Sequence, residues 1–315
     1  MPRQARTATQ KPNLFLIGAM KSGTTYLNKL LGAHPSIFMC TPEEPTYFVD
    51  PSQLEKLWPH VWDLGFWRSE KQYLRLFESS EDAEILGEAS TNYSKLPLVS
   101  GVPERISRFN KKSRFIYLLR DPVKRTLSHY WHMVRYHAEH RQIMTAIKEE
   151  SQFTDVSYYA MQLKSYFRYF APDQFKILTY EQLISAPLQT MHALYEWLGV
   201  DSANIDVSIL EQPENVTPEI VRMAAGLKLM YLLKNTRPVR AVVPRLPLSI
   251  REAGLRLSTN PVNRRSVDTS DVIKYLQPIQ RKQTDELAQL LGRDFPEWST
   301  LSQKSCGVKA LEREK

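Results

Sequence analysis

The stretch Leu14-Phe15-Leu16-Ile17-Gly18-Ala19-Met20-Lys21-Ser22-Gly23-Thr24-Thr25 decides how this chain is read. Its apolar start, Leu14 to Gly18, has the length and composition of a buried strand. Thr24 to Leu31 behind it has a helical pattern. The two glycines between them stand at the spacing of a phosphate-binding loop, G-x-x-x-x-G. Such a loop works because its backbone N–H groups and the N-terminus of the following helix converge on phosphate oxygens. Glycine serves where the backbone comes close to the ligand or takes positive φ. The loop departs from the nucleoside triphosphatase pattern at one position. There a lysine directly after the second glycine bridges the β- and γ-phosphates, and the next hydroxyl holds Mg²⁺. Here that position is Thr24, and the lysine is Lys21. A lysine so placed suits a 5'-phosphate that gains charge as it becomes a leaving group.

Working outward, three more short apolar runs read as strands: Ile85 to Gly87, Phe115 to Leu119 and Phe175 to Thr179. Helical patterns follow, Val123 to Glu139 behind Pro122 and Pro187 to Leu198 ahead of Gly199, with proline and glycine at their favoured ends. Strand followed by helix, repeated, predicts an α/β fold with a central parallel sheet flanked by helices. From Pro213 the pattern loosens into what reads as short helices joined by loops. A last helix is expected over Asp271 to Leu291, closed by Gly292. Residues 1–11 and 302–315 read as flexible tails.

The 315 residues have the apolar and charged content of a folded protein, 42% and 24%. Two cysteines, Cys40 and Cys306, exclude a disulfide framework. With neither a signal peptide nor a membrane-length apolar run, the expected location is cytoplasmic. Charge is uneven. Residues 222–265 carry ten basic side chains against one acid, Glu252, so this segment alone outweighs the net +8 of the whole chain. It is either a solvated face or a surface for an anionic partner, such as a sulfated glycan, a lipid headgroup or a nucleotide. Neither zinc-finger spacing nor an RNA-recognition signature accompanies it, so no nucleic-acid partner is expected.

Gly18-Ala-Met-Lys-Ser-Gly-Thr-Thr-Tyr-Leu27 with His34-Pro35 resembles the 5'-phosphosulfate loop of sulfotransferases that use 3'-phosphoadenosine 5'-phosphosulfate (PAPS). Phe115-Ile-Tyr-Leu-Leu-Arg120-Asp-Pro, with Arg125 and Ser128-His-Tyr130, resembles the same family's 3'-phosphate motif. As a pair these motifs are specific. Gly87 to Tyr93, Pro103 to Ile106, Tyr159 to Leu163, Tyr180 to Leu183 and Leu291 to Trp298 add weaker likeness to bacterial and carbohydrate-type (heparan-type) members, so that one domain over 12–300 is expected.

The resemblance implies a P-loop-like sulfotransferase fold with PAPS as co-substrate and no metal. Donor contacts would come from Lys21, Ser22, Gly23, Thr24 and Thr25, and the 3'-phosphate would be held by Arg120 and Ser128. The acceptor would be a hydroxyl or amine on a carbohydrate, glycolipid or small molecule. Thr41-Pro-Glu-Glu-Pro-Thr-Tyr-Phe48 resembles the motif that carries a glutamate base in the glycan branch, which places that role on Glu44. Two cations of the family pattern are missing here. Glu43 stands where lysine is usual, and Ala89 replaces a lysine of some heparan-type enzymes.

His129, His132, His137 and His140 fall within an arc of roughly 140° on one helix. Without a Cys or Asp at ligand spacing they read as cleft and surface residues, not as a metal site. Two other readings stay open at this point. One is a P-loop kinase or nucleoside triphosphatase with Asp121 as the Mg²⁺ carboxylate. The other is a non-catalytic binder that holds an acidic glycan or membrane through 222–265.

Overall fold

In the computed structural model the described residues are 11–80, 83–137, 139–203, 210, 218–224 and 259–302. Five parallel strands form one sheet: β1 (Leu14–Leu16), β2 (Ile37–Met39), β3 (Ile85–Ala89), β4 (Arg114–Leu119) and β5 (Phe175–Thr179), in the order β2-β3-β1-β4-β5. The central strand β1 aligns Phe15 with Glu88 on one side and with Phe115 on the other. The helices that position the site are α1 (Thr24–Gly32), α2 (Val102–Phe109), α3 (Pro122–Tyr136), α4 (Tyr159–Tyr166), α5 (Pro187–Leu198) and α6 (Ser270–Leu291).

Each strand feeds two cores because side chains alternate across the pleat. Leu14, Leu16, Ile116 and Leu118 pack with Leu27, Leu30 and Leu31 of α1 and with Met191, Leu194 and Leu198 of α5. Phe15, Ile17, Phe115, Tyr117 and Leu119 point the other way, onto Ile106 of α2, Val123 and Tyr130 of α3, Tyr159 of α4 and Leu276 of α6. Helix ends follow local chemistry. Asp121 caps α3, its carboxylate accepting from the N–H groups of Val123 and Lys124, with Pro122 in the first turn. Gly199 ends α5 at φ 74°, and Gly292 ends α6 at 63°.

The four expected strands and the four expected helices are present with small shifts at their ends. β2 is an addition. Its three residues are too few for an apolar period to register.

The segment 222–265 needs correction. Its two ends do not form helices but pair as an antiparallel ribbon, β6 (Ile220–Ala224) with β7 (Thr259–Asn263), Val221 opposite Val262. A two-stranded ribbon has free edges, so it accommodates Pro261, and Val221 buries itself where β6 packs on α3. The rest of the segment, 225–258, lies outside the described residues. Of the expected tails, 1–10 and 303–315 also lie outside them. Lys11, read as tail, forms an ion pair with Glu70 at 2.9 Å. No helix among the described residues is long and apolar enough to cross a membrane.

Candidate active site

A parallel sheet delivers the carboxyl ends of all its strands to one edge. Here all five of them lead into a single cleft of about 990 Å³. The loop after β1 brings Lys21, Gly23, Thr24 and Thr25. The loop after β2 brings Glu44, and the turn after β3 brings Thr91, Asn92 and Lys95. β4 ends in Arg120, and β5 runs into Tyr180. Ser128, His132 and Arg135 of α3 complete the wall, together with Trp58 and Arg264.

The first loop is built tightly. Gly18 has φ 137°, and a Cβ there would overlap the Ser94 hydroxyl, which donates to Ile17 O at 2.6 Å. Gly23, at φ 92°, faces the Tyr180 ring so closely that a Cβ would stand 2.8 Å from it. Both positions therefore require glycine. Lys21 itself has φ 70°, and its carbonyl accepts from Arg120 Nη1 at 2.9 Å. Burial lowers the Lys21 pKa, and the charges of Arg120 and Arg135 lower it further. The loop thus gathers positive charge that a phosphate would relieve. The Arg120 guanidinium lies over the Tyr180 ring at 4.7 Å, and its buried Nε has no partner among the described residues.

Glu44 is held by β3 and the turn that follows it. Its N–H donates to Ala89 O at 2.8 Å, so the loop after β2 continues along β3. Its Oε1 accepts from the Thr91 N–H at 3.1 Å and the Thr91 hydroxyl at 2.6 Å, while buried Oε2 has no partner among the described residues. Glu44 (φ 59°), Thr46 (φ 57°) and Lys21 are the non-glycine residues with positive φ among the described residues. Strained backbone of this kind persists where the surrounding structure over-determines it, and it gathers at functional sites.

The expected site residues are brought together with one exception. Lys21, Gly23, Thr24, Thr25, Glu44, Arg120 and Ser128 line the cleft. Ser22 does not: it is fully buried, its N–H donates to Ala19 O at 3.1 Å, and its enclosed hydroxyl has no partner among the described residues. Arg125, quoted in the second motif, is also fully buried, bonded to Ser157 and to the Phe153 carbonyl. It anchors α3 and leaves the cleft to Arg120.

Asp121, the Mg²⁺ carboxylate of the kinase reading, is committed elsewhere. It caps α3 with Oδ1 and accepts from the Thr300 hydroxyl at 2.6 Å and the Thr300 N–H at 3.0 Å. Of the four histidines, His132 and His137 line the cleft and His129 is buried behind it. Burial lowers the pKa of all three, that of His132 to about 3. His140 is exposed.

The sequence reading missed Lys95, Asn92, Thr91, Arg135, Tyr180 and Arg264. Thr91, Asn92 and Tyr180 sit inside stretches already singled out for their resemblance, and that is the signal that could have found them. Lys95 lies two residues past one such stretch. With Glu43 and Ala89 in place of lysines, Lys95 is the cation that the turn after β3 brings to the cleft. Only its burial marks it.

Comparison with known proteins gives this geometry a context. Residues 12–204 match the sequence profile described as the Sulfotransferase family. The chain is 34% identical over 122 residues to the membrane-associated sulfotransferase kil1 of Dictyostelium discoideum, covering 38% of this chain and 22% of that protein. It is 24% identical over 205 residues to heparan sulfate glucosamine 3-O-sulfotransferase 5 of Mus musculus, covering 61% of this chain and 54% of that one. The chain therefore spans about half, or less, of the length of these curated relatives. A crystal structure of a sulfotransferase from Alicyclobacillus acidocaldarius matches with a TM-score of 0.67 at 22% identity, covering 92% of this chain and 99% of that one, a likeness of fold. The matched profile covers more than half of the residues, including Lys21, Glu44, Arg120 and Ser128, and on that ground the chain belongs to the sulfotransferase family.

Proposed function

We propose that the protein transfers a sulfuryl group from PAPS to a hydroxyl or amine of a carbohydrate-like or glycolipid acceptor. The observation that carries this reading is the meeting of Lys21 and Glu44 in one cleft with Arg120 and Ser128. In this reading the 5' end of the donor rests on the loop from Lys21 to Thr25 and on the N-terminus of α1. Arg120 and Ser128 bind the 3'-phosphate, the guanidinium through paired N–H donors. The acceptor oxygen attacks sulfur in line, and Glu44 takes its proton. The S–O bond to the 5'-phosphate breaks, its electron pair stays on the phosphate oxygen, and Lys21 stabilises the charge that grows there. The cleft is large enough to hold a nucleotide and part of an acceptor together. The heparan-type relatives favour a carbohydrate acceptor, and Arg264 in the cleft lining suits an anionic one.

Calorimetric titration with 3'-phosphoadenosine 5'-phosphate (PAP), set against ATP with Mg²⁺, tests the donor site on wild type and Arg120→Ala. We expect preference for the bisphosphate and at least about a tenfold loss of its affinity in the variant, the scale of a charge-assisted contact. Preference for ATP with Mg²⁺, or binding of neither nucleotide, would sink the reading.

A further inference from the structure

Lys95 is a buried cation whose protein surroundings leave it short of partners. It is 8% exposed, and its ammonium donates to Asn92 Oδ1 at 2.6 Å and lies 4.9 Å from the centre of the Trp58 ring. The Asn92 amide is itself oriented, its nitrogen reaching the Thr46 hydroxyl at 3.4 Å. Lys95 makes no ion pair among the described residues, and one neutral acceptor serves an ammonium with three N–H donors. Burying an uncompensated charge is costly, and it is retained where a ligand completes it.

Its position says which ligand atoms are in reach. Lys95 lines the large cleft with Lys21 and Glu44, and Glu44 is the carboxylate whose field acts on it. Lys21, Lys95 and His132 line the same cleft, and both ammonium charges act on the His132 ring. Lys95 also lines a second cavity of about 150 Å³ that shares Met20, Trp58 and His137 with the first. It therefore stands at the junction of the two, whereas Arg120 and Ser128 line only the first.

Resting on the donor reading above, we propose that Lys95 binds a non-bridging sulfuryl oxygen of PAPS, on the acceptor side of the transferring group. Lys21 then serves the phosphate that leaves, and Lys95 serves the sulfuryl group that moves. PAPS makes this contact and PAP, which lacks the sulfuryl group, does not. The contact also depends on pH, because burial holds the Lys95 pKa down at about 8. Its charge is present below that value and lost above it. The groups facing it are Glu44, Arg125, His129, His132 and His137. The histidines, held below their ordinary range by burial, stay neutral from pH 7 to 9, and Arg125 titrates higher, at about 10. Lys21 also has a lowered pKa and favours PAP, whose 5'-phosphate carries the charge of the departed leaving group, but it is common to wild type and the Lys95 variants and cancels when their PAPS-to-PAP ratios are compared.

The experiment is calorimetric titration of PAPS and of PAP into wild type, Lys95→Met and Lys95→Arg at pH 7 and pH 9. We expect the PAPS-to-PAP affinity ratio of wild type at pH 7 to exceed that of Lys95→Met by about tenfold, the scale of one charge-assisted hydrogen bond, and the excess to shrink at pH 9. Lys95→Met should lower the ratio through weaker PAPS binding, with PAP affinity within about twofold of wild type, and Lys95→Arg should keep part of the excess. An unchanged PAPS-to-PAP ratio in Lys95→Met overturns the proposal. So does an equal loss of both nucleotides in both variants, which would make Lys95 a structural prop. Wild type that binds neither nucleotide overturns the donor reading together with this one, whereas failure of Lys95 alone leaves PAP binding in place.

Discussion

The two faces of the central sheet are built on different terms. Beneath α1 and α5 the core is apolar, and the buried histidine there, His34, has both ring nitrogens bonded, to Ser36 N–H and to Asp201 O. The opposite face, under α2, α3, α4 and α6, buries Glu88, Lys95, Arg125 and His129 among its aromatic rings. Two of these keep atoms without a partner among the described residues: Arg125 Nη1 and His129 Nδ1. Unmet polar groups cost folding energy, and a protein that keeps them gains pre-organised charge next to its cleft. One face stabilises the sheet; the other spends stability to support chemistry. Both are fed by alternate residues of the same strands, so Leu16 and Ile17, adjacent in sequence, serve different ends.

The largest effect should come from Glu44→Gln, which keeps the shape and both Thr91 contacts open while removing the base. Turnover of PAPS with a competent acceptor should fall by about 10²–10⁴-fold, with PAP affinity unchanged by calorimetry. Near-normal turnover would take Glu44 out of the mechanism and leave the polar face without its central carboxylate.

Leu194→Ala, on the apolar face, should do the reverse. Urea denaturation should show a loss of about 2–5 kcal/mol, from lost transfer energy and the cavity left behind, with PAP affinity little changed. A binding defect as large as that of a cleft variant would mean that the two faces are not separable.

Glu88→Gln gives the smallest and most selective effect. Burial raises the Glu88 pKa from 4.5 to about 8, partly offset by the Tyr93 and Tyr73 hydroxyls. The folded state keeps this proton up to about pH 8, whereas the unfolded chain gives it up near its ordinary value of 4.5. Wild-type stability from this group is therefore full below pH 4.5 and lost as the pH rises through 8. The variant should match wild type at pH 5 and exceed it by on the order of 1–3 kcal/mol at pH 9, read by chemical denaturation. Equal stability at both pH values would mean that the polar face pays nothing for this carboxyl.

Much of the site was legible because two motifs carry their own geometry. In Gly18 to Thr25 and in Phe115 to Arg120, strand, turn and ligand-facing residue are neighbours in the chain, so local pattern suffices to place Lys21 and Arg120. Ser22 shows the limit. The motif names the residue, but which way its hydroxyl points depends on how the turn closes. Asp121 shows another: a carboxylate at a strand end suits either a metal or a helix cap, and Thr300, far along the chain, fixes it as a cap.

By itself, then, the sequence determined the alternation of strand and helix, the phosphate loop with its displaced lysine, the arginine at the end of β4 and the family resemblance. These depend on periodicity and on residues close together in the chain. Tertiary structure alone decided that Thr91 grips Glu44 across 47 positions, that Tyr180 closes on Gly23, and that the ends of the basic segment form a ribbon whose next residue, Arg264, reaches the cleft. It also decided that Lys95 is buried beneath Trp58 with a single hydrogen-bonded partner. Burial and convergence belong to whatever packs over a residue, and in a parallel sheet the loops that meet at the carboxyl edge come from distant parts of the chain.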